Sequence, residues 1–592
     1  MWGALALSAW AAAIAVSAGV RFSVLGLTIV SRDPLRPLAV AAVLLASGYV
    51  IFGRRPIDEE FDRVAAAFGR AALPLAIAAA LAVVIAGVHW GSFAASSVDP
   101  YGYVSQAALW ARGSLHVDQP FAASVPWPDA DLAFAPMGYR PATSGHAIVP
   151  SYSPGLPMLM ALAERAAGAC GPYYIVPVMG GLCVLGCFLL GRRVATPAAG
   201  ACAAILLACS PPFLFHLVAP MSDVPAAALW TGAVWAALGG GGVAAPMLAG
   251  LFIALAILVR PNLAPLTLVM VAFVVTAGGS ANDTRRLWKR AGWFAAAVVP
   301  ACCGVALVNW RLYGSPLRSG YDGLASAYAL ANIVENARRY AGWLMQTHSP
   351  LIVLAAVGLA APWASRAAPV TRRAALLFLL FTLALAVSYL PYTVFENWWY
   401  LRFFLPALPL LLVSMIAAIF WLCRAAPPAL RVFGAIALMT FLVSHELRFA
   451  ITEGFTQAPA GERRYIAVAR FIESTLPTNA VFVTLQHGGS VRHYSNRLTV
   501  RFDRIAVGLD EALASLERAG LRPFILLEDW EETDFKARFG AASEAGRLAW
   551  RPLARLPEPG GVNIYDPKSA ATASPHELAI IPAAQPCDCR HY

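Results

Sequence analysis

Two acids stand where chemistry at a membrane surface would need them. Asp99 lies in Ser97-Val98-Asp99-Pro100-Tyr101-Gly102-Tyr103, and Asp223 lies in Pro220-Met221-Ser222-Asp223-Val224-Pro225. Each sits at the mouth of an apolar run, where water and headgroups keep a carboxylate ionised. Arginines recur in the same kind of place: Arg140, Arg260, Arg318 and Arg402. A charge at mid-span costs ~2.5–3.5 kcal/mol, so acids and arginines gathered near helix ends on one face mark a site. Guanidinium forks suit phosphate, and a carboxylate can take the proton of an attacking hydroxyl. Attack at a sugar carbon passes through an oxocarbenium-like state that a nearby carboxylate also stabilises. Asp99 and Asp223 are therefore the candidate catalytic residues, and the four arginines the candidate phosphate binders. Tyr101, Tyr103 and Tyr152 are candidates for the cavity wall.

Each of these residues has a plainer reading. Asp99 and Asp223 could N-cap the helices that follow them, with proline inside the first turn. Arg260 in Arg260-Pro261-Asn262 could snorkel to headgroups, and Arg402 in Trp398-Trp399-Tyr400-Leu401-Arg402-Phe403 could anchor an aromatic belt. His146, His348 and His445 have no metal-ligand spacing, so no metal site is expected. Cys587-Asp588-Cys589 with His591 is a weak metal or disulfide signal. Nothing indicates a cofactor, although paired acids are compatible with a divalent cation.

The elements that must position these side chains are membrane helices. Of 592 residues 59% are hydrophobic and 13% charged, too few charges to cover a soluble chain of this length. The net charge of +11 resides in short loops: Arg54, Arg55, Arg63 and Arg70; Arg192 and Arg193; Arg285, Arg286, Lys289 and Arg290; Arg366, Arg372 and Arg373; Arg424 and Arg431. That is the positive-inside pattern, which reports orientation and excludes a nucleic-acid reading. Apolar runs predict about thirteen spans, near 3–20, 37–53, 71–90, 172–190, 195–212, 224–240, 243–259, 263–279, 291–309, 350–364, 374–391, 402–423 and 431–447. The first run, which lacks a basic leader, reads as a retained helix. Arg21, Arg32 and Arg36 fall on the outer side against the general pattern.

Residues 1–70 are thus expected to form a transmembrane hairpin, and 71–447 a core with a long outer loop at 91–171. Tyr101–Leu115, a segment through Leu162, and Ser319–Gln346 read as apolar segments lying in the interface plane. Beyond Glu446 the composition changes. Strands are predicted at 481–485, 523–527 and 562–565, with helices at 464–475 and 509–519. These make a small α/β extracytoplasmic domain over 448–568, followed by a disordered tail at 569–592.

Taken together, Val98-Asp99-Pro100-Tyr101-Gly102-Tyr103, Met221-Ser222-Asp223-Val224-Pro225 and Tyr152-Ser153-Pro154-Gly155-Leu156-Pro157 resemble segments of the GT-C superfamily of lipid-sugar-dependent glycosyltransferases. Arg260-Pro261-Asn262, Tyr313-Gly314-Ser315-Pro316-Leu317 and Arg402-Phe403-Phe404-Leu405-Pro406-Ala407-Leu408-Pro409 add to the resemblance. It covers roughly 71–447 and is nearest to protein O-mannosyltransferases, aminoarabinose transferases of lipid A and enzymes adding galacturonate to lipopolysaccharide core. It implies a GT-C-like polytopic fold, with Asp99 as the first-loop acid and Asp223 as the second-loop acid. The donor it implies is a polyprenyl-phosphate sugar, and the acceptor a lipid, glycan or protein. Transfer would invert the anomeric carbon at the periplasmic face of the inner membrane. Many relatives carry two adjacent acids in the first loop, whereas here Pro100 follows Asp99.

A lipid or solute transporter, or flippase, would also want many helices and intramembrane arginines. No internal repeat is visible, however, and the polar elaboration lies on one side. A non-catalytic partner would not need both acids.

Overall fold

The computed structural model describes all residues except 1, 18–19, 25–26, 32, 241, 278–282, 322–326, 365–369, 559, 569–574 and 581–592. Among the described residues, seven helices are long and apolar enough to cross a bilayer, or up to nine if two bent pairs each count as one. Each expected apolar run is helical, yet several helices fall short of a full crossing. Asp223–Ala237 has 15 residues, Ala244–Val259 has 16 and Leu266–Thr276 has 11. At 1.5 Å per residue these reach roughly 16–24 Å, less than the ~30 Å of hydrocarbon. Asp223–Ala237 is shielded by neighbours, buried along almost its whole length, whereas Ala244–Val259 and Leu266–Thr276 each keep an exposed apolar side.

Two expected boundaries move. Residue 70 falls inside one continuous helix, Arg54–His89, whose basic first half and apolar second half were read as a loop and a span. The segment through Leu162 is no lone surface helix: Gly155–Ala167 runs on into Gly171–Val194, giving an apolar stretch of 40 residues. The first outer segment is the helix Asp99–Arg112, and the third is Asn332–His348.

The outer domain follows the predicted elements closely. Strands Ala480–Thr484, Arg522–Glu528 and Val562–Tyr565 and helices Arg464–Thr475 and Leu509–Arg518 all form. In the six-stranded sheet, Ala480–Thr484 pairs in parallel with Leu498–Arg501 on one side and Arg522–Glu528 on the other. Arg522–Glu528 continues antiparallel to Val562–Tyr565, which pairs with Ala554–Leu556. Most of the expected tail, with Cys587, Cys589 and His591, lies outside the described residues. Within it, His576–Glu577 pairs in parallel with Ala554–Leu556.

Two glutamates at the end of Arg522–Glu528 give this domain a pH signature. Glu528 and Glu531 form a reciprocal cap at the start of helix Asp529–Phe539. Glu531 accepts from the Gln486 and Glu528 backbone N–H groups, both at 2.9 Å. Burial nonetheless pushes Glu531 from 4.5 up to about 7. Burial also pushes Glu528 upward, but the His487 hydrogen bond and the Arg464 charge hold it down at about 2. A carboxyl raised on folding keeps a proton that the unfolded chain has released. Its contribution is therefore complete below pH 4.5 and lost as pH rises through about 7. That loss amounts to at most about 3 kcal/mol. Glu531→Gln should gain on the wild type between about pH 5 and about pH 8, measured as protease resistance of the outer domain at each pH. An unchanged difference between the two pH values would refute the assignment.

Candidate active site

Four chain segments converge at one face of the helical core, three of them placed by the end of a helix. Asp99 is the first residue of helix Asp99–Arg112, and Pro100, with no N–H to lose, starts the turn. Asp223 opens the helix Asp223–Ala237 in the same way. Arg260 terminates Ala244–Val259, and Arg402 lies in a 3-10 segment, Trp398–Ala407. Neither acid serves as a helix cap, since no side-chain cap bond forms at either helix start. Their oxygens go elsewhere.

Arg260 donates to Asp223 Oδ1 at 2.6 Å. Arg402 donates to Asp99 Oδ2 at 3.0 Å, and the same nitrogen lies 4.0 Å from Asp223 Oδ2. The two acids therefore share one guanidinium. Both arginines stand over the Phe403 ring, at 6.0 Å and 5.3 Å, which fixes their planes from one side. Arg402 Nε is buried and, among the described residues, has no hydrogen-bond partner. An N–H so placed is an unspent donor, the kind of group an anionic ligand satisfies.

Tyr152 donates its hydroxyl to Asp99 Oδ1 at 2.5 Å. Burial first, and then the Asp99 charge, push that hydroxyl well above its ordinary range, so it stays a donor. The ring gets there because Gly102 has no side chain: a Cβ would fall 2.1 Å from Tyr152 Cε2. Tyr103 packs at a tilt against Tyr152, ring centroids 4.5 Å apart, and donates to Ser222 Oγ at 2.8 Å, tying the two acid-bearing helices together.

The acids differ in access. The Asp99 side chain is 30% exposed and that of Asp223 only 2%. Asp99 can therefore meet an incoming hydroxyl, whereas Asp223 can only act on the groups already around it.

Not every expected residue joins them. Tyr101 lies two residues from Tyr103, on roughly the opposite side of a 3.6-residue helix. Its ring is buried against Tyr139 and outer-domain residues Gly489 and His493, so it faces the outer domain rather than the two acids. Arg140 donates to the Ser319 carbonyl at 3.2 Å and lies over Tyr313. Arg318 is exposed in the turn after Tyr313. Neither is placed against Asp99 or Asp223. In the outer domain His487 is buried on Glu528, and Gly488 opens a helix, Gly488–Ser495. Sequence reading missed Ser222, Asn262, Tyr389 and Phe403. Asn262 donates to the Tyr389 hydroxyl at 2.9 Å beside Arg260. The polar neighbours of Asp223 and Arg260 were a visible signal, but Tyr389 and Phe403 sit in apolar runs and gave none. Among the described residues, no three His, Cys, Asp or Glu side chains come together as metal ligands.

No family model and no curated protein matches this chain. Solved structures do. ArnT from Cupriavidus metallidurans bound to undecaprenyl phosphate superposes with a TM-score of 0.52 at 14% identity, over 84% of this chain and 99% of that one. Its apo state gives 0.51 at 14%, over 84% and 98%. The Archaeoglobus fulgidus oligosaccharyltransferase tethered with an acceptor peptide gives 0.49 at 14%, over 84% and 74%, too distant to draw on. Identity this low speaks to fold rather than chemistry. On that ground the chain has a GT-C-like fold, shared with ArnT, and its own long apolar helices make it a multi-pass membrane protein.

Proposed function

We propose that this protein is an inner-membrane glycosyltransferase. It moves one sugar from a polyprenyl-phosphate donor to a hydroxyl of a lipid, glycan or protein acceptor at the periplasmic face. The observation that carries the reading is the Asp99–Arg402–Asp223–Arg260 chain of ion pairs at the mouths of membrane helices.

The chemistry follows from the differences among the four groups. Asp99, the accessible acid, takes the proton of the acceptor hydroxyl. The acceptor oxygen attacks the anomeric carbon from the side opposite the phosphate. The carbon–oxygen bond to phosphate breaks, its electron pair leaving with the polyprenyl phosphate, and configuration inverts. Arg402, with its unspent Nε–H, receives the developing phosphate charge, and Arg260 supports it. Asp223 holds both guanidinium groups in place without being consumed. The four side chains account for the proton and the charge, and the reading includes no resident cofactor.

Arg402→Ala should lower kcat/KM for the lipid-linked donor by ~10²–10³, the usual loss for one preorganised donor to a developing anion. Arg140→Ala, at a residue that meets Ser319 and Tyr313 rather than the two acids, should change it by no more than about threefold. Equal effects in membranes supplied with donor would displace the phosphate from Arg402. Mass spectrometry of glycolipids from a deletion strain and its parent would identify the acceptor.

A further inference from the structure

The outer domain is not a separate body tethered above the membrane. Trp127 and Phe134 of the first outer loop pack in one apolar core with Val481, Val483, Val500 and Phe502 of the sheet. Arg492, on helix Gly488–Ser495, donates to Gln119 Oε1 at 2.7 Å and to the Phe134 carbonyl. Its acceptors there are neutral oxygens, a costly arrangement for a guanidinium.

The same helix touches the chain on both sides of Asp99. Four residues before it, the Ala95 backbone N–H donates to the Tyr494 hydroxyl at 2.7 Å. Two residues after it, the Tyr101 ring lies flat on Gly489, where a Cβ would fall 2.1 Å from Tyr101 Cδ1. Between the spanning helix and Asp99, Phe93 and Ser97 adopt left-handed backbone angles, with φ of 45° and 44°. Such conformations are costly for residues with a side chain and persist only where neighbours over-determine them. The neighbours here are Tyr173, Tyr174 and the outer-domain helix.

We propose that helix Gly488–Ser495 is a positioning element of the active site, with Gly489 and Tyr494 setting the height and rotation of the helix that carries Asp99. The effect on turnover rests on the base role proposed above for Asp99; the mechanical coupling does not. Because Arg402 rather than Asp99 faces the phosphate, loss of the clamp should slow transfer while leaving lipid-phosphate binding nearly intact.

The test uses the full chain in lipid nanodiscs. Gly489→Ala and Tyr494→Phe should each raise hydrogen exchange of residues 92–104 about tenfold or more, with strands 480–484 and 522–528 unchanged. Transfer should fall about tenfold, while binding of undecaprenyl phosphate, used as the probe, stays within about threefold. Tyr101→Leu added to Gly489→Ala makes room for the new methyl and should restore both readouts, which a merely destabilised domain would not show. Lys536→Ala, on the exposed face of the outer domain, should change nothing. Should Gly489→Ala not fold, Tyr494→Phe removes a single hydroxyl and still decides. Unchanged exchange at 92–104 in a folded variant overturns the coupling. Faster exchange with full transfer overturns the positioning role. Full transfer by Asp99→Asn overturns the base assignment instead and leaves the exchange result standing.

Discussion

Asp99→Asn leaves the amount of protein in the membrane unchanged and lowers sugar transfer by ~10²–10⁴, the range associated with a lost general base. The amount is expected to hold because asparagine fits the same space. Its carbonyl oxygen can face Arg402, which now donates to Asp99 Oδ2, while its amide turns to the Tyr152 hydroxyl oxygen. The side chain is partly exposed, so the lost charge is not a buried one. A second measurement separates the base role from a general disturbance. Removing a negative charge beside Arg402 should leave undecaprenyl phosphate bound as well as before or better, so the loss appears in kcat. Full transfer by Asp99→Asn would remove Asp99 as the base. Loss of lipid-phosphate binding in step with transfer would show that Asp99 serves the donor site instead.

Asp223→Ala should be the most damaging single change to the fold as well as to activity. Its carboxylate is nearly inaccessible, lies 2.6 Å from Arg260 and is 4.0 Å from Arg402. Truncating it strands the Arg260 guanidinium in a part-buried site and leaves Arg402 with Asp99 as its acid, and breaking a buried pair from one side costs ~3–5 kcal/mol. The double variant Asp223→Ala/Arg260→Ala removes both members of the closer pair. It should regain most of the thermal stability of the purified protein, because no charge is left facing a missing partner. Transfer should stay low, since Arg402 has lost the acid that holds it near Asp99. Recovery of transfer along with stability would reduce Asp223 to a structural ion pair.

The class of molecule and its local elements were legible in the amino-acid chain alone. A chain with 59% hydrophobic and 13% charged residues must find most of its cover in lipid. The periodic strands and helices after Glu446 formed within a few residues of expectation, because alternation and amphipathicity are read from neighbours along the chain. The same holds for Asp99 and Asp223: an acid at the edge of an apolar run signals a helix mouth whatever packs beside it.

Which charges meet is a matter of long-range packing. Arg402 reaches Asp99 across 303 residues of sequence and Arg260 reaches Asp223 across 37, while Arg140 and Arg318, equally basic and equally outer, turn to other partners. Tyr101 and Tyr103 looked interchangeable in sequence, yet the helix rotation sends one to the acids and the other to Gly489. Local pattern records whether a residue prefers water or cover. Which other segment supplies that cover depends on how helices of unequal length pack, and on an outer domain whose core is completed by Trp127 and Phe134 from a loop more than three hundred residues away.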